Sequence, residues 1–228
     1  MLFIGLDDTD TLESRGTGHL ARQIGAALAR EYPVLGIIRH QLLKDARVPC
    51  TKNNSSAAIL LDGDGRLDPG TLLEQVKGLI LEDFQPGSDP GVCVARSVPA
   101  VIREFGRRTQ REMVTQAEAR ALAAAHGLGL LGLGGDEGGV IGALAAVGLA
   151  ASGEDGRYVL VGQVRELSGQ QPVAALLAAG IAAVQTVDGQ LVSQGLVDTD
   201  RLRPARRGGR PVAIVEWAGD HWVPLKLD

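Results

Sequence analysis

The order in which apolar periodicity changes over the first hundred residues restricts the fold of this chain more than any other feature. Residues 2–6 form a short apolar run that stops at Asp7, the pattern of a buried strand. Over residues 18–29, Leu20, Ile24, Ala27 and Leu28 recur at helical spacing. Residues 34–43 and 55–61 return to strand composition. Over residues 69–81 the spacing predicts a helix with Leu72, Leu73, Val76 and Ile80 on one stripe and Pro69 in its first turn. A further strand at 91–95 follows the turn-rich run QPGSDPG. The predicted order β-α-β-β-α-β is that of a ferredoxin-like two-layer α/β sandwich.

A second set of signals begins after a break at 97–99. Residues 100–113 are strongly charged and read as a solvated helix or connector. Thr115 and Glu118 have capping-box spacing, which predicts a helix over 116–125. A short strand is expected at 127–133, and a helix of small residues at 140–149 leaves the run GLGGDEGG. A strand at 157–164, an Ala-rich helix at 172–184 and a terminal hairpin around Gly219 complete the pattern. The expected fold class is therefore α/β (α+β), with two α/β sandwich units at residues 1–98 and 99–228. With 228 residues, 45% of them hydrophobic, the chain can bury one large core or two small ones.

Composition narrows the function. A net charge of -4 and only 3% aromatic residues argue against a dedicated nucleic-acid binder and against base stacking on a single strand. No apolar run approaches the ~18 residues of a membrane span. The start, MLFIGLDDTD, lacks the basic region of a signal peptide, so the expected location is the cytoplasm. Cys50 and Cys93 stand alone, with no CxxC, and suggest neither a zinc site nor a disulfide framework.

Three segments carry candidate chemistry. In the first, Asp7, Asp8 and Asp10 cluster at a strand tip around Thr9. Carboxylates so close repel one another unless a cation is near, and Mg²⁺ takes such oxygen ligands together with phosphates and water. The competing reading is a solvated acidic turn. Arg15, Gly16, Thr17, Gly18 and His19 follow at a helix start, where free N–H groups and the positive dipole end suit phosphate. Thr17 is either the cap of that helix or a reactive hydroxyl. The second segment is VPCTKNNSSA, where Lys52 is the natural phosphate cation, read from its charge alone, and Asn54 a neutral contact; a plain hydrophilic loop is the alternative. The third is GLGGDEGG, where Gly135 and Gly138 could cradle an anion at the helix start, although Asp136 and Glu137 stand where phosphate would sit. The run RLRPARRGGR holds five arginines in ten residues, either a phosphate-contacting strip or a solvated loop.

Together, GLDDTDTLESRGTGHL, VPCTKNNSSA and GGDEGGVIGALAAVG resemble, in order, three elements of the tRNA-Ile agmatidine synthetase (tRNA 2-agmatinylcytidine synthetase) family. The resemblance covers about 150 residues. It implies a short form holding the family's kinase-like part, at 1–98 with the DDTD motif, and its ferredoxin-like part, at 99–228, without the OB-fold and zinc ribbon that handle much of the tRNA. It further implies ATP and Mg²⁺ as cofactors, with metal and triphosphate held by Asp7, Asp8 and Asp10. Thr17 falls at the family's phosphorylated threonine. The catalytic candidates are thus Asp8, Thr17 and Lys52. The nucleotide-contacting candidates are Asp7, Thr9, Arg15, Gly16, Gly18, Asn54, Gly135 and Gly138. The expected function is Mg²⁺-dependent use of ATP to phosphorylate or activate a nucleoside, RNA or small-molecule acceptor, the alternative a catalytically silent nucleotide-binding or regulatory module. A nucleotide is the expected partner; the second substrate is open, and any RNA binding by this chain alone is expected to be weak and salt-sensitive.

Overall fold

The structure is a computed structural model and describes residues 1–226 apart from 49, 52, 64 and 66. Its first six elements are β1 (Leu2–Asp7), α1 (Thr17–Leu28), β2 (Val34–Gln41), β3 (Ser55–Leu61), α2 (Pro69–Glu82) and β4 (Gly91–Ala95). The strands lie in the order β4-β1-β3-β2, each antiparallel to its neighbour. This is the arrangement the β-α-β-β-α-β order calls for. On one face, Leu20, Ile24 and Leu28 of α1 and Leu72, Val76 and Ile80 of α2 pack on Leu2, Ile4, Leu6, Ile59 and Val92 of the sheet. The start of α2 is fixed locally: Pro69 occupies the first turn and the Asp68 carboxylate accepts from the Thr71 amide at 2.8 Å.

The opposite face is covered by the next stretch of chain, α3 (Ala100–Arg108), α4 (Gln116–Ala125), the edge strand β5 (Gly129–Gly132) and α5 (Val140–Ser152). α4 has the bounds and the Thr115 cap that its capping spacing implies. α3 departs from the expected solvated segment. Its arginines and glutamates pair on the outside, but Ile102, Phe105 and Gly106 are buried against α5, so the helix is amphipathic. α5 is apolar on every side because it is wedged between the sheet and α3. The expected division between residues 98 and 99 falls inside this packing: α3, α4 and α5 complete the first sheet's second layer, and β5 extends that sheet beyond β4.

Two strand glycines let α5 approach so closely. A Cβ on Gly5 of β1 would stand 2.0 Å from the Ala143 carbonyl oxygen, and one on Gly91 of β4 would stand 2.1 Å from the Gly139 carbonyl. Backbone rather than a flexible side chain occupies that space, so Gly5→Ala must push the helix off the sheet. The expected cost is about 3 kcal/mol, read as a lower denaturant midpoint with little change in slope.

The remaining elements are β6 (Arg157–Leu160), a single 3₁₀ turn at Val164–Glu166, β7 (Gln170–Pro172), α6 (Val173–Ala178), β8 (Ala183–Gln185), β9 (Leu196–Asp198), β10 (Ala205–Arg207), β11 (Arg210–Trp217) and β12 (Trp222–Pro224). The Ala-rich stretch at 172–184 thus divides into a short helix and a strand. β6 pairs with β2, and the strand path continues β6-β10-β11-β12-β9-β7, with β8 parallel to β11. The strands and helix of this second unit do not repeat the β-α-β-β-α-β order among the described residues. Part of the arginine-rich run serves this packing. Arg206 is buried; its Nε donates to the Ala150 carbonyl at the end of α5, and its Nη1 donates to the Tyr158 hydroxyl and the Gly209 carbonyl. Arg207 donates to the Glu154 carbonyl. Among the described residues no helix is long and apolar enough to cross a membrane.

Candidate active site

The end of β1 sets the site. Asp7 is its last residue, and at Asp8 the chain enters the left-handed region with φ 52°, a conformation aspartate tolerates better than most residues. That turn sends neighbouring carboxylates in different directions. Asp7 lies against the first turns of α5, where a Cβ on Gly142 would stand 1.8 Å from its Oδ2. Asp10 runs back to α1. Its Oδ1 accepts from the Thr17 amide at 3.0 Å and the Thr17 hydroxyl at 2.9 Å, and its Oδ2 accepts from the Thr51 hydroxyl at 2.9 Å.

Asp7, Asp8 and Asp10, the expected metal ligands, border one small cavity. Among the described residues no group of three or more His, Cys, Asp or Glu side chains is placed to hold one ion. Asp10 is spent on hydrogen bonds, while Asp8 shares a cavity with Asp7, Asp89 and Asp136. The capping role considered for Thr17 also moves. Gly16 is the N-cap residue and Thr17 the first residue of α1, and the capping carboxylate is that of Asp10, seven residues back. Asp10→Ala is expected to cost about 1–2 kcal/mol through loss of this cap, measured by chemical denaturation.

The cavity has a volume of about 250 Å³. Leu42, Val48, Met113, Val114 and Ile141 form its apolar wall, and Asp7, Asp8, Asp89 and Asp136 its acidic end, beside Gly138 and Gly142 of the α5 entry. No arginine, lysine or histidine is among the described lining residues. Burial, and next the charge of Asp8, push Asp7 up to about 8. Burial, followed by the charges of Asp89, Asp10 and Asp136, pushes Asp8 up to about 6. A smaller cavity of about 40 Å³ brings Asp7, Asp8, Asp10, Thr17, Cys50 and Asn54 together. Asn54 borders both spaces and is held by an Nδ2 donation to the Leu43 carbonyl at 2.9 Å. Hard oxygen donors at one end and an apolar wall at the other fit a nucleotide that brings its own cation, better than a resident ion held by protein alone.

The other candidates are placed as follows. Thr9 is buried and donates to the Thr17 oxygen at 3.2 Å. Arg15 is exposed, with its guanidinium 3.4 Å from His19 Nε2. A Cβ on Gly18 would meet nothing within 4 Å, so the backbone there is open to approach. Gly135 has φ +57°, and a Cβ there would collide with Asp89, so this glycine serves the loop's own folding. Lys52 lies outside the described residues.

Asp89 is the residue that sequence reasoning missed, hidden in the turn run QPGSDPG. Its Oδ1 accepts from the Asp136 amide at 2.8 Å, and Asp136 in turn accepts from the Gly138 amide at 2.7 Å. Asp89 therefore both shapes the glycine-rich loop and adds charge to the cavity. Glu137 is ion-paired with Arg120 and does not line the cavity.

This architecture is similar to that of an ATP-using, tRNA-modifying enzyme. The chain matches the crystal structure of a tRNA fluorescent labeling enzyme at 26% identity and TM-score 0.57, over 64% of this chain and 35% of that one. It matches the crystal structure of TiaS in complex with an isoleucine tRNA and ATP at 26% identity and TM-score 0.57, over 64% and 36%. The complex of TiaS with the same tRNA, AMPCPP and agmatine follows at 25% identity and TM-score 0.55, over 64% and 35%. The chain thus spans about a third of these proteins' length. An uncharacterized protein of Methanocaldococcus jannaschii is 28% identical over 152 residues, 65% of this chain and 50% of that protein. No protein-family model matches the chain.

Proposed function

We propose that the chain is an Mg²⁺-dependent, ATP-using enzyme that phosphorylates or activates a nucleoside, RNA or small-molecule acceptor. The observation that carries this reading is the acid-ended cavity at Asp7 and Asp8, linked through Asn54 to the space beside Thr17. The nucleotide-handling unit is then residues 1–98 together with α3, α4 and α5, because Gly138, Ile141 and Gly142 line the same cavity.

The roles follow from the side chains. The apolar wall seats the base and keeps water from it. Asp7 and Asp8 would contact the cation that accompanies the phosphates, with Asp89 and Asp136 adding negative charge to the same cavity, and that cation would supply neutralisation of phosphate charge. At the start of α1 the Thr17 and His19 amides are taken by Asp10 and the Gly16 carbonyl, so the N–H of the open Gly18 is the backbone donor left for a phosphate oxygen. Thr17 presents its hydroxyl to Asp10 Oδ1, a carboxylate within reach to take the proton if Thr17 Oγ becomes the nucleophile. Likeness to structures solved with ATP and AMPCPP supports the nucleotide part of the reading. The acceptor is left to the region beyond Thr17.

The test is incubation of the purified protein with Mg²⁺ and γ-labelled ATP, followed by mapping of label. Label on Thr17 or transfer to an added acceptor supports the enzyme. ATP-dependent thermal stabilisation with neither label nor turnover would replace it with a silent nucleotide-binding module.

A further inference from the structure

Two residues before Leu42, which lines the acid-ended cavity, His40 of β2 is wholly buried. Successive side chains of a strand point to opposite faces. Ile37 packs with α1 and α2 and Ile38 with α5, so His40 lies on the α5 side of the sheet. Its Nδ1 is 2.7 Å from Oδ1 of Asp155, in the turn between α5 and β6. Oδ2 of the same carboxylate accepts from Gln110 Nε2 at 2.9 Å, and that nitrogen also donates to the Gln41 carbonyl at 3.0 Å. Gln110 stands just beyond the end of α3. Burial works against the charge of Asp155, but its contacts with His40 and Gln110 hold it below the ordinary carboxylate range. An ionised carboxylate only accepts, so both neighbours donate to it.

This cluster ties together segments whose neighbours form one wall of the cavity. The Leu43 amide donates to the carbonyl of Thr109, the residue before Gln110, at 2.9 Å. Leu42, Leu43, Thr109, Met113 and Val114 line the cavity, whereas His40, Gln110 and Asp155 do not. The turn that carries Asp155 is itself held by the second unit. The Gly209 amide donates to the Gly153 carbonyl, the Gly208 amide to Glu154 Oε1 and the Arg206 amide to the Gly156 carbonyl, each at 2.9 Å. Packing alone does not call for histidine on this strand. His40 Nε2 and the Oγ of Ser56, its register partner on β3, are buried with no hydrogen-bond partner among the described residues. An aliphatic side chain would fill the space without that desolvation cost.

We propose that His40, Asp155 and Gln110 are positioning residues for the acid-ended cavity, holding the strand end at 42–43 against the segment 109–114 and making ligand affinity there depend on the second unit. None of the three borders the space beside Thr17. They act through the wall, and a wall already in place costs its ligand less ordering. Their loss therefore weakens binding and leaves the reacting groups where they are. That role in affinity rests on the reading of the cavity as the nucleotide site, whereas the order of the wall is measurable without nucleotide.

The experiment pairs amide hydrogen exchange on the ligand-free full chain with Mg²⁺–ATP titration and the rate of Thr17 labelling at saturating ATP. Gln110→Ala and His40→Leu are expected to speed exchange of the Leu43 amide and to weaken ATP binding, each by about tenfold, with the saturated labelling rate unchanged. His40→Asn, whose Nδ2 can donate where Nδ1 does, is expected to restore both. Exchange and affinity unaltered in Gln110→Ala and His40→Leu would overturn the proposal. So would equal losses in His40→Asn and His40→Leu, which would assign the effect to ring shape, or a fall in labelling rate with affinity intact, which would assign it to the chemistry. If the His40 variants fail to fold, Gln110→Ala decides alone, since Gln110 is only half-buried. Faster exchange, reversed by His40→Asn, in a protein that binds no ATP sustains the positioning of the wall and defeats the nucleotide reading instead.

Discussion

Asp8→Asn is expected to weaken Mg²⁺-dependent ATP binding by about 100-fold or more while raising the melting temperature of the ligand-free protein by about 2–4 °C. The two effects have one cause. Asp8 faces Asp7, Asp89 and Asp136 across the cavity, with no described cation in its lining. A carboxylate there is a liability until a cation arrives. Asparagine tolerates the left-handed backbone at this position as aspartate does, so the change removes charge without forcing the turn. The pH dependence has the same origin. Asp7 is raised to about 8 and Asp8 to about 6, both above the ordinary 3.8. The folded state therefore holds these protons more tightly than the unfolded chain. The stability they contribute is complete below the unfolded value and is lost as pH climbs through 6 and then 8. Melting of the ligand-free protein is expected to fall over that window, and Mg²⁺ with ATP to flatten the decline. A wild-type affinity in Asp8→Asn, or a melting temperature that rises with pH, would contradict the assignment.

Thr17→Ala is expected to reduce turnover at least about 100-fold while ATP still binds. The hydroxyl accepts from Thr9 and donates to Asp10, so its removal also costs about 1 kcal/mol of stability. Helix capping does not account for the residue, because the Asp10 carboxylate also receives the backbone amide of Thr17, which alanine retains. Thr17→Ser keeps the hydroxyl and is expected to restore turnover. A folded Thr17→Ala protein with full turnover would end the phosphoryl-transfer role and leave Thr17 as a link between Thr9 and Asp10.

Features that depend on neighbours in sequence were legible before the structure. The cap at Thr115, the proline start of α2 and the apolar stripes of α1 and α2 all rest on local spacing, and they sit where that spacing puts them. The relation between the halves was not. Nothing in a strand glycine announces which helix will lie on it, so Gly5 and Gly91 gave no sign that α5 seals the first sheet. Charge hid the buried side of α3, because Ile102 and Phe105 are few among arginines and glutamates. In the site, Asp7, Asp8 and Asp10 are near in sequence and border one small cavity, whereas Asp89 and Asp136, far apart in sequence, join Asp7 and Asp8 at the acidic end. The arginine run at 201–210 likewise serves the fold in part, with Arg206 consumed in packing and Arg207 held on the Glu154 carbonyl.

The central claim is that Mg²⁺ and ATP bind together at the acid-ended cavity. Calorimetric titration of ATP into the wild-type protein, with Mg²⁺ and then with excess chelator, tests it most directly. The account predicts saturable binding with Mg²⁺ that is lost in chelator and lost again in Asp8→Asn. No binding with Mg²⁺, or the same affinity in chelator, would contradict it.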